Sequence, residues 1–183
     1  MSPSERPYFQ LEQAREVASV FARHKVEFLF IGKGGAIIIG YPAATQDVDL
    51  FPKKSPENGR RIVDALRELD FLISDNIADK IISGADFVQL NDGPFDLDLV
   101  FAPDGIESFE IAKERMHLVD GFPVANIRDI IASKRAAGRE KDLNDLPLLE
   151  DFREEFEKSL RSEPKSAIEI ALSKTDITRN DGR

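Results

Sequence analysis

Apolar residues along the first third of the chain recur with a helical period and then with a strand period. Leu11, Ala14, Val17, Ala18 and Phe21 fall three and four apart, which predicts an amphipathic helix over residues 11–24. Val26 to Ile31 is a short unbroken apolar run, β-branched and aromatic, stopped by Gly32, as in a buried strand. Gly32-Lys33-Gly34-Gly35 then reads as a glycine turn opening a short buried helix that Gly40 and Pro42 end early. Asp47 to Phe51 alternates charged and apolar positions, as a strand does. Ser55 before Pro56 is an N-cap with proline at the first helical position, and Ile62, Val63, Leu66 and Leu69 form the core stripe of the helix that follows.

The second half is read in the same way. Phe71 to Ile73 reads as a strand start, Ala78 to Ile82 as a short helix and Asp86 to Leu90 as a strand. Asn91-Asp92-Gly93 is a hairpin signal that sets Phe95 to Phe101 antiparallel beside that strand. Glu107 to Met116 reads as a helix, Val119 to Val124 as a short strand pair turning at Gly121, and Asn126 to Ala137 as a helix capped by Asn126. Arg139 to Leu160 continues helically, with a break expected near Pro147. From Ser162 the chain turns polar, with a short helix at Ala167 to Leu172 and a loose end. The expected fold is α/β (α+β): a small mixed sheet with helices largely on one side and a C-terminal helical extension. One domain is expected over residues 1–160, with a core at 10–125, an extension at 126–160 and a tail at 161–183. The length of 183 residues agrees, since domains average roughly 150.

Composition narrows the chemistry. Thirty-four acidic against twenty-five basic residues give a formal charge of −9, which argues against a broad basic surface that holds nucleic acid by counterion release. No cysteine is present, so disulfides, thiolate catalysis and thiolate metal sites are excluded together. Two distant histidines, His24 and His117, exclude a multi-histidine zinc site, so a metal would need oxygen ligands. Met1 to Gln10 has no apolar leader segment, and no apolar run reaches the roughly 20 residues that span a bilayer. A soluble, cytoplasmic protein with no membrane partner is expected.

The residues that point to chemistry are Asp47-Val48-Asp49 and Asp96-Leu97-Asp98. Residues two apart on a strand share a face, so each segment presents two carboxylates side by side, and neighbouring strands would bring up to four together. Crowded like charges raise one another's pKa and cost stability unless a cation sits among them. Hard ions such as Mg²⁺ or Mn²⁺ take such oxygens together with substrate phosphates, and two of them clamp an in-line phosphoryl or nucleotidyl displacement. A solvated strand face fits an isolated Asp-Xaa-Asp equally well, but aspartate is depleted in strands and two such strands in one small domain ask for a reason. The glycine turn fits either a tight packing turn or a phosphate cradle with Lys33 as a point charge; it matches neither the P-loop nor the dinucleotide pattern.

Together, the strand, glycine turn, short helix, Asp-Xaa-Asp strand and later strand Asp resemble the DNA polymerase beta-like nucleotidyltransferase superfamily. Gly40-Tyr41-Pro42-Ala43-Ala44-Thr45-Gln46-Asp47-Val48-Asp49-Leu50 is similar to a segment of the bacterial minimal nucleotidyltransferases related to abortive-infection toxins. Ser55 to Asn58, the Asp98 strand with Asp104-Gly105 beyond it, and Ile131 to Leu143 match that family in order, over about residues 10–150. The resemblance implies that Asp47 and Asp49 hold Mg²⁺ or Mn²⁺ and that Asp98 is a third ligand, activating the attacking hydroxyl. It implies nucleotide contacts at Gly32, Lys33, Gly34, Gly35 and Thr45, and at Lys134, Arg139 and Lys141, with Asp142 near the same pocket. From Arg128 to Lys141 five basic residues stand against two acidic ones, a local excess suited to phosphates or to a solvated helix face. Counting back from Asp47, lysine at 33 replaces the family's usual serine unless Gly34-Gly35 takes that part, and Ala43 replaces a basic residue. The implied partners are an NTP donor and an acceptor such as the 3′ end of tRNA or other RNA, otherwise a small molecule (an antibiotic) or a protein, with a cognate antitoxin.

Two other functions stay open on the residues alone. One is a catalytically degenerate module that binds nucleotide or a partner, and the other a structural role with the aspartates on a solvated face. Phe28, Phe30, Phe51, Phe71, Phe87 and Phe101 lie in apolar runs and are expected in the core. Tyr41 is expected to pack in its turn rather than stack on a nucleotide. His24 suits a helix C-terminus and His117 a strand edge, and Ser133 lacks the partners of a hydrolytic nucleophile.

Overall fold

Helix α1 (Leu11–Arg23) buries Ala14, Val17, Val20 and Phe21, the stripe its period requires, and leads into β1 (Phe28–Ile31), whose four residues are all buried. These elements belong to a computed structural model that describes residues 8–162. Gly32, with φ +62°, turns the chain directly into α2 (Gly32–Ile38), and β2 (Asp47–Pro52) returns antiparallel beside β1. Helix α3 (Pro56–Glu68) starts as its sequence dictates: the Ser55 hydroxyl accepts from the Asn58 backbone N–H at 3.1 Å, with proline in the first turn. The buried Asn58 side chain donates to the carbonyls of Glu27 and Lys53, each at 2.9 Å, and so fixes α3 against the neighbouring ends of β1 and β2.

Phe71 to Ile73 forms no strand. Phe71 packs edge-to-face on Phe95, and Leu72 N–H donates to Asp92 C=O at 2.9 Å, so the segment covers the hairpin while Leu72 stays exposed. Its in-and-out pattern comes from extended chain outside the sheet. The helix after it, α4 (Asp75–Ser83), is longer than its apolar stripe suggests because Ser74 caps it and Gly84, at φ +67°, ends it. Strands β3 (Phe87–Leu90) and β4 (Asp96–Val100) pair antiparallel across the expected hairpin. Helix α5 (Phe109–Glu114) follows, shorter at both ends than its apolar pattern, with Ser108 as its cap. Strands β5 (His117–Val119) and β6 (Phe122–Val124) turn through Asp120 and Gly121, both at positive φ, as a two-residue hairpin turn of this kind demands.

The mixed sheet has the order β3-β4-β2-β1-β6-β5, with β2–β4 and β1–β6 parallel and the other pairs antiparallel. Helix α6 (Ile127–Ala137), capped by Asn126 and ended by Gly138, packs on α2 and on α7 (Glu140–Ser162). The break expected at Pro147 does not occur: α7 runs through it. Proline deletes one backbone hydrogen bond, but fully buried Leu149 beyond it and the Arg135–Glu150 pair (2.7 Å) hold the second half of α7 beside α6. The expected helix at Ala167 to Leu172 lies outside the described residues. Among the described residues no helix is long and apolar enough to cross a membrane.

Candidate functional site

Parallel pairing of β2 with β4 sets Asp47 beside Asp96 and Asp49 beside Asp98. Val48, Leu50, Leu97 and Leu99 all point to the other face and are buried, so a one-residue slip would turn leucines out and aspartates in. The hydrophobic positions thereby dictate where the carboxylates stand. One oxygen each from Asp47, Asp49 and Asp98 lies within 4.8 Å of the others. Three carboxylates converge, not four, as Asp96 is not part of the cluster.

Gly32 closes this cluster from the β1–α2 turn. A Cβ there would lie 2.2 Å from Asp49 Oδ2, and its φ of +62° already disfavours any other residue. Gly32→Ala is therefore expected to cost about 1–2 kcal/mol from the backbone alone and to displace the Asp49 carboxylate. Urea unfolding checks this, and an unchanged midpoint would refute it. Gly35 serves another purpose. A Cβ on Gly35 would stand 3.0 Å from the Phe30 carbonyl oxygen, so Gly35 lets α2 lie close on the sheet, whereas one on Gly34 would make an ordinary contact, 3.5 Å from the Asp47 carbonyl oxygen.

The carboxylates open into a cavity of about 740 Å³, within the range of small-molecule sites. Gly32, Lys33, Thr45, Lys134, Arg139 and Lys141 line it, as do Asp104, Ser133, Asp142 and Asp145, whereas Gly34 and Gly35 lie off its wall. Thr45 is held by its backbone carbonyl, which accepts from Phe9 N–H at 2.8 Å.

The charge within the cavity is unevenly satisfied. Burial, and next the charges of Asp98 and Asp47, push Asp49 up to about 7, against the opposing pull of Lys134 and Lys141. Burial and the Asp47 charge push Asp98 up to about 6, moderated by a hydrogen bond from Gln89, its cross-strand neighbour on β3. Asp98 Oδ1 is buried and has no hydrogen-bond partner among the described residues. An orphaned carboxylate oxygen amid two other carboxylates is the donor set of a hard divalent cation, and Mg²⁺ or Mn²⁺ fits it.

The facing wall comes from α2, α6 and α7. Lys134 Nζ lies 3.1 Å from Asp142 Oδ1 and 3.2 Å from Asp145 Oδ2, Lys33 Nζ lies 2.8 Å from Asp145 Oδ2, and Arg139 Nε lies 2.5 Å from Asp142 Oδ2. Burial works to raise Asp145 and Asp142, but their hydrogen bonds, from Lys33 and Lys134 to the one and from Arg139 and Lys134 to the other, bring both below the ordinary carboxylate range.

Other candidates settle into packing. Tyr41 is buried edge-to-face on Phe152, and His24, capping α1, pairs with Glu68 Oε2 at 2.6 Å. His117 begins the edge strand β5, packs on Phe156 and is held below its ordinary pKa by burial. Phe28, Phe30, Phe51, Phe71 and Phe101 are core residues, but Phe87 is not: it is 53 % exposed and lines the cavity. Phe87 and Gln89 alternate outward on β3 against buried Val88 and Leu90, a period-two signal already present in the sequence. Asp145 was also within reach of sequence reading, since it lies three residues after Asp142 on one helix face.

No family model matches the chain, and no curated protein sequence matches it either.

Proposed function

We propose that the protein is a Mg²⁺- or Mn²⁺-dependent nucleotidyltransferase of the DNA polymerase beta-like kind. The observation that carries this reading is the convergence of Asp47, Asp49 and Asp98 within 4.8 Å at a cavity whose facing wall is rich in Lys and Arg. The glycine turn leading from β1 into a short helix and back to an Asp-Xaa-Asp strand supports the corresponding fold.

Asp47, Asp49 and Asp98 would hold divalent ions, which when bound supply charge neutralisation for an in-line displacement at phosphorus. Lys33, Lys134, Arg139 and Lys141 bind the donor phosphates, and Gly32 keeps the Asp49 carboxylate in place without a side chain of its own. Asp98, its pKa raised to about 6, would accept the proton of the acceptor hydroxyl on its carboxylate. The acceptor oxygen bonds to the α-phosphorus, the bond from that phosphorus to the bridging oxygen of the β-phosphate breaks, and pyrophosphate leaves. Catalysis then consists of positioning and electrostatic stabilisation.

The acceptor we favour is RNA, such as the 3′ end of tRNA, with a small molecule (an antibiotic) or a protein as alternatives and an antitoxin as regulatory partner. A binding-only module is the second reading, favoured by the ion pair that Lys33, standing where the family's serine would, makes with Asp145. Pyrophosphate release separates the two. The protein with each NTP, Mg²⁺ and tRNA is expected to release pyrophosphate and label the RNA with one nucleotide. Metal-dependent NTP binding without release, across RNA, small-molecule and protein acceptors, would favour the binding module.

A further inference from the structure

Two lysines from distant parts of the chain share one carboxylate. Lys33 Nζ, at the start of α2, straddles the Asp145 carboxylate, donating to Oδ1 at 3.1 Å and lying 2.8 Å from Oδ2, and Lys134 Nζ, on α6, is 3.2 Å from Oδ2. Lys134 is 10 % exposed and also meets Asp142 at 3.1 Å, so it is held from two sides. All four side chains line the cavity that contains the aspartate triad.

A tie between helices that served only the fold would balance its charges. Here Asp142 and Asp145 face Lys33, Lys134 and Arg139, and Lys141 adds a further positive charge whose field reaches Asp49 and Asp98. Four cations therefore stand on this wall against two carboxylates of its own, with Asp104 and the aspartate triad as further acidic neighbours in the cavity. Two long, flexible ammonium side chains would otherwise repel each other and spread into solvent, at a cost in ordering when an anion arrives. A shared carboxylate draws them together beforehand.

We propose that Asp145 is a positioning residue for the donor: by bridging Lys33 and Lys134 it ties α7 to the glycine turn and presets both ammonium groups as a paired seat for a polyphosphate chain. The inference rests on the nucleotidyltransferase reading for the identity of the donor but not for the existence of the anion seat. It also assigns a use to Lys33, which becomes half of a cationic pair that α7 completes.

The test combines steady-state kinetics with binding of inorganic tripolyphosphate, measured by calorimetry without nucleotide or divalent metal. Asp145→Asn and Lys33→Met are each expected to weaken tripolyphosphate binding and to raise KM for NTP about tenfold, the scale of one charged hydrogen bond, with kcat within about twofold. The double variant is expected to be little worse than either single one, because the two residues act as a unit. Asp145→Glu is expected to recover most of the affinity, and circular dichroism melts of each variant separate lost folding from lost binding. Unchanged binding and KM in a folded Asp145→Asn would overturn the proposal, leaving a structural tie only. Tighter binding would overturn it too, because Asp145 would then compete with the anion. Tripolyphosphate binding by the wild type with no pyrophosphate release from any NTP would sink the transferase reading but not the seat. Turnover of NTP without tripolyphosphate binding would sink the seat and spare the transferase.

Discussion

Asp49→Asn is expected to lower NTP-dependent pyrophosphate release by about 10²–10³-fold, the usual effect of removing one charge-stabilising group, while making the metal-free protein more stable at pH 8. The two effects share a cause. Asp49 stands among Asp47 and Asp98 on a sheet face with Gly32 pressed against it, and burial and like charge raise its pKa to about 7. A shift from 3.8 to about 7 at about 1.4 kcal/mol per unit bounds the native-state penalty of the charged form at about 4 kcal/mol. Because the residue keeps partial contact with solvent, a gain on the order of 2 kcal/mol is the expected size. Asparagine retains the shape and removes the charge. Paired urea titrations and pyrophosphate assays at pH 8 check both halves. A variant that is inactive and also less stable would show that Asp49 supports the fold instead of straining it.

Period-two alternation made the fold legible wherever it had two faces to distinguish. Val48 and Leu50 against Asp47 and Asp49, and Leu97 and Leu99 against Asp98, give strand and face together. That β2 and β4 lie parallel and adjacent is a different kind of information. The connection passes through α3, α4 and β3, and nothing local to either strand states which neighbour it will take. From the residues alone the convergence of carboxylates was therefore legible only as a consequence of adjacency, with up to four expected; the family resemblance was what named Asp47, Asp49 and Asp98 and left Asp96 out. The misread segments fail for tertiary reasons. Phe71 alternates like a strand because it covers a hairpin, and Pro147 sits in an unbroken helix because Leu149 and the Arg135–Glu150 pair hold the turns after it. The facing wall was half visible: Lys134, Arg139 and Lys141 stand out by charge, but their pairing with Asp142 and Asp145 depends on how α7 folds back on α6.

Stability of the metal-free protein is expected to peak at about pH 4 and to fall toward pH 8, the reverse of the usual trend for carboxylates. Asp49 and Asp98 titrate at about 7 and about 6 in the folded protein and near 3.8 when unfolded. Between those limits the native state holds up to two more protons than the unfolded chain, so unfolding free energy decreases as pH rises, by about 1.4 kcal/mol per pH unit for each such group. Their penalty is absent below about pH 4 and fully developed above the folded values. Asp142, Asp145, Glu27 and Glu150, all held below their ordinary values, act oppositely: the stability they contribute is complete above their unfolded pKa values and is lost as pH falls through the folded ones. The two trends cross at about pH 4. Divalent cations favour the same deprotonated carboxylates that repel one another, so Mg²⁺ or Mn²⁺ stabilises the native state by mass action and does so far more at pH 8 than at pH 5. Thermal melts from pH 4.5 to 8.5, with and without millimolar Mg²⁺ and repeated on Asp49→Asn/Asp98→Asn, measure each part. The expected result is an alkaline decline that the ion reverses and that the double variant lacks. A flat profile in the wild type would show that the three carboxylates are solvated well enough to carry their charge without a cation, and the case for a metal centre would fall with it.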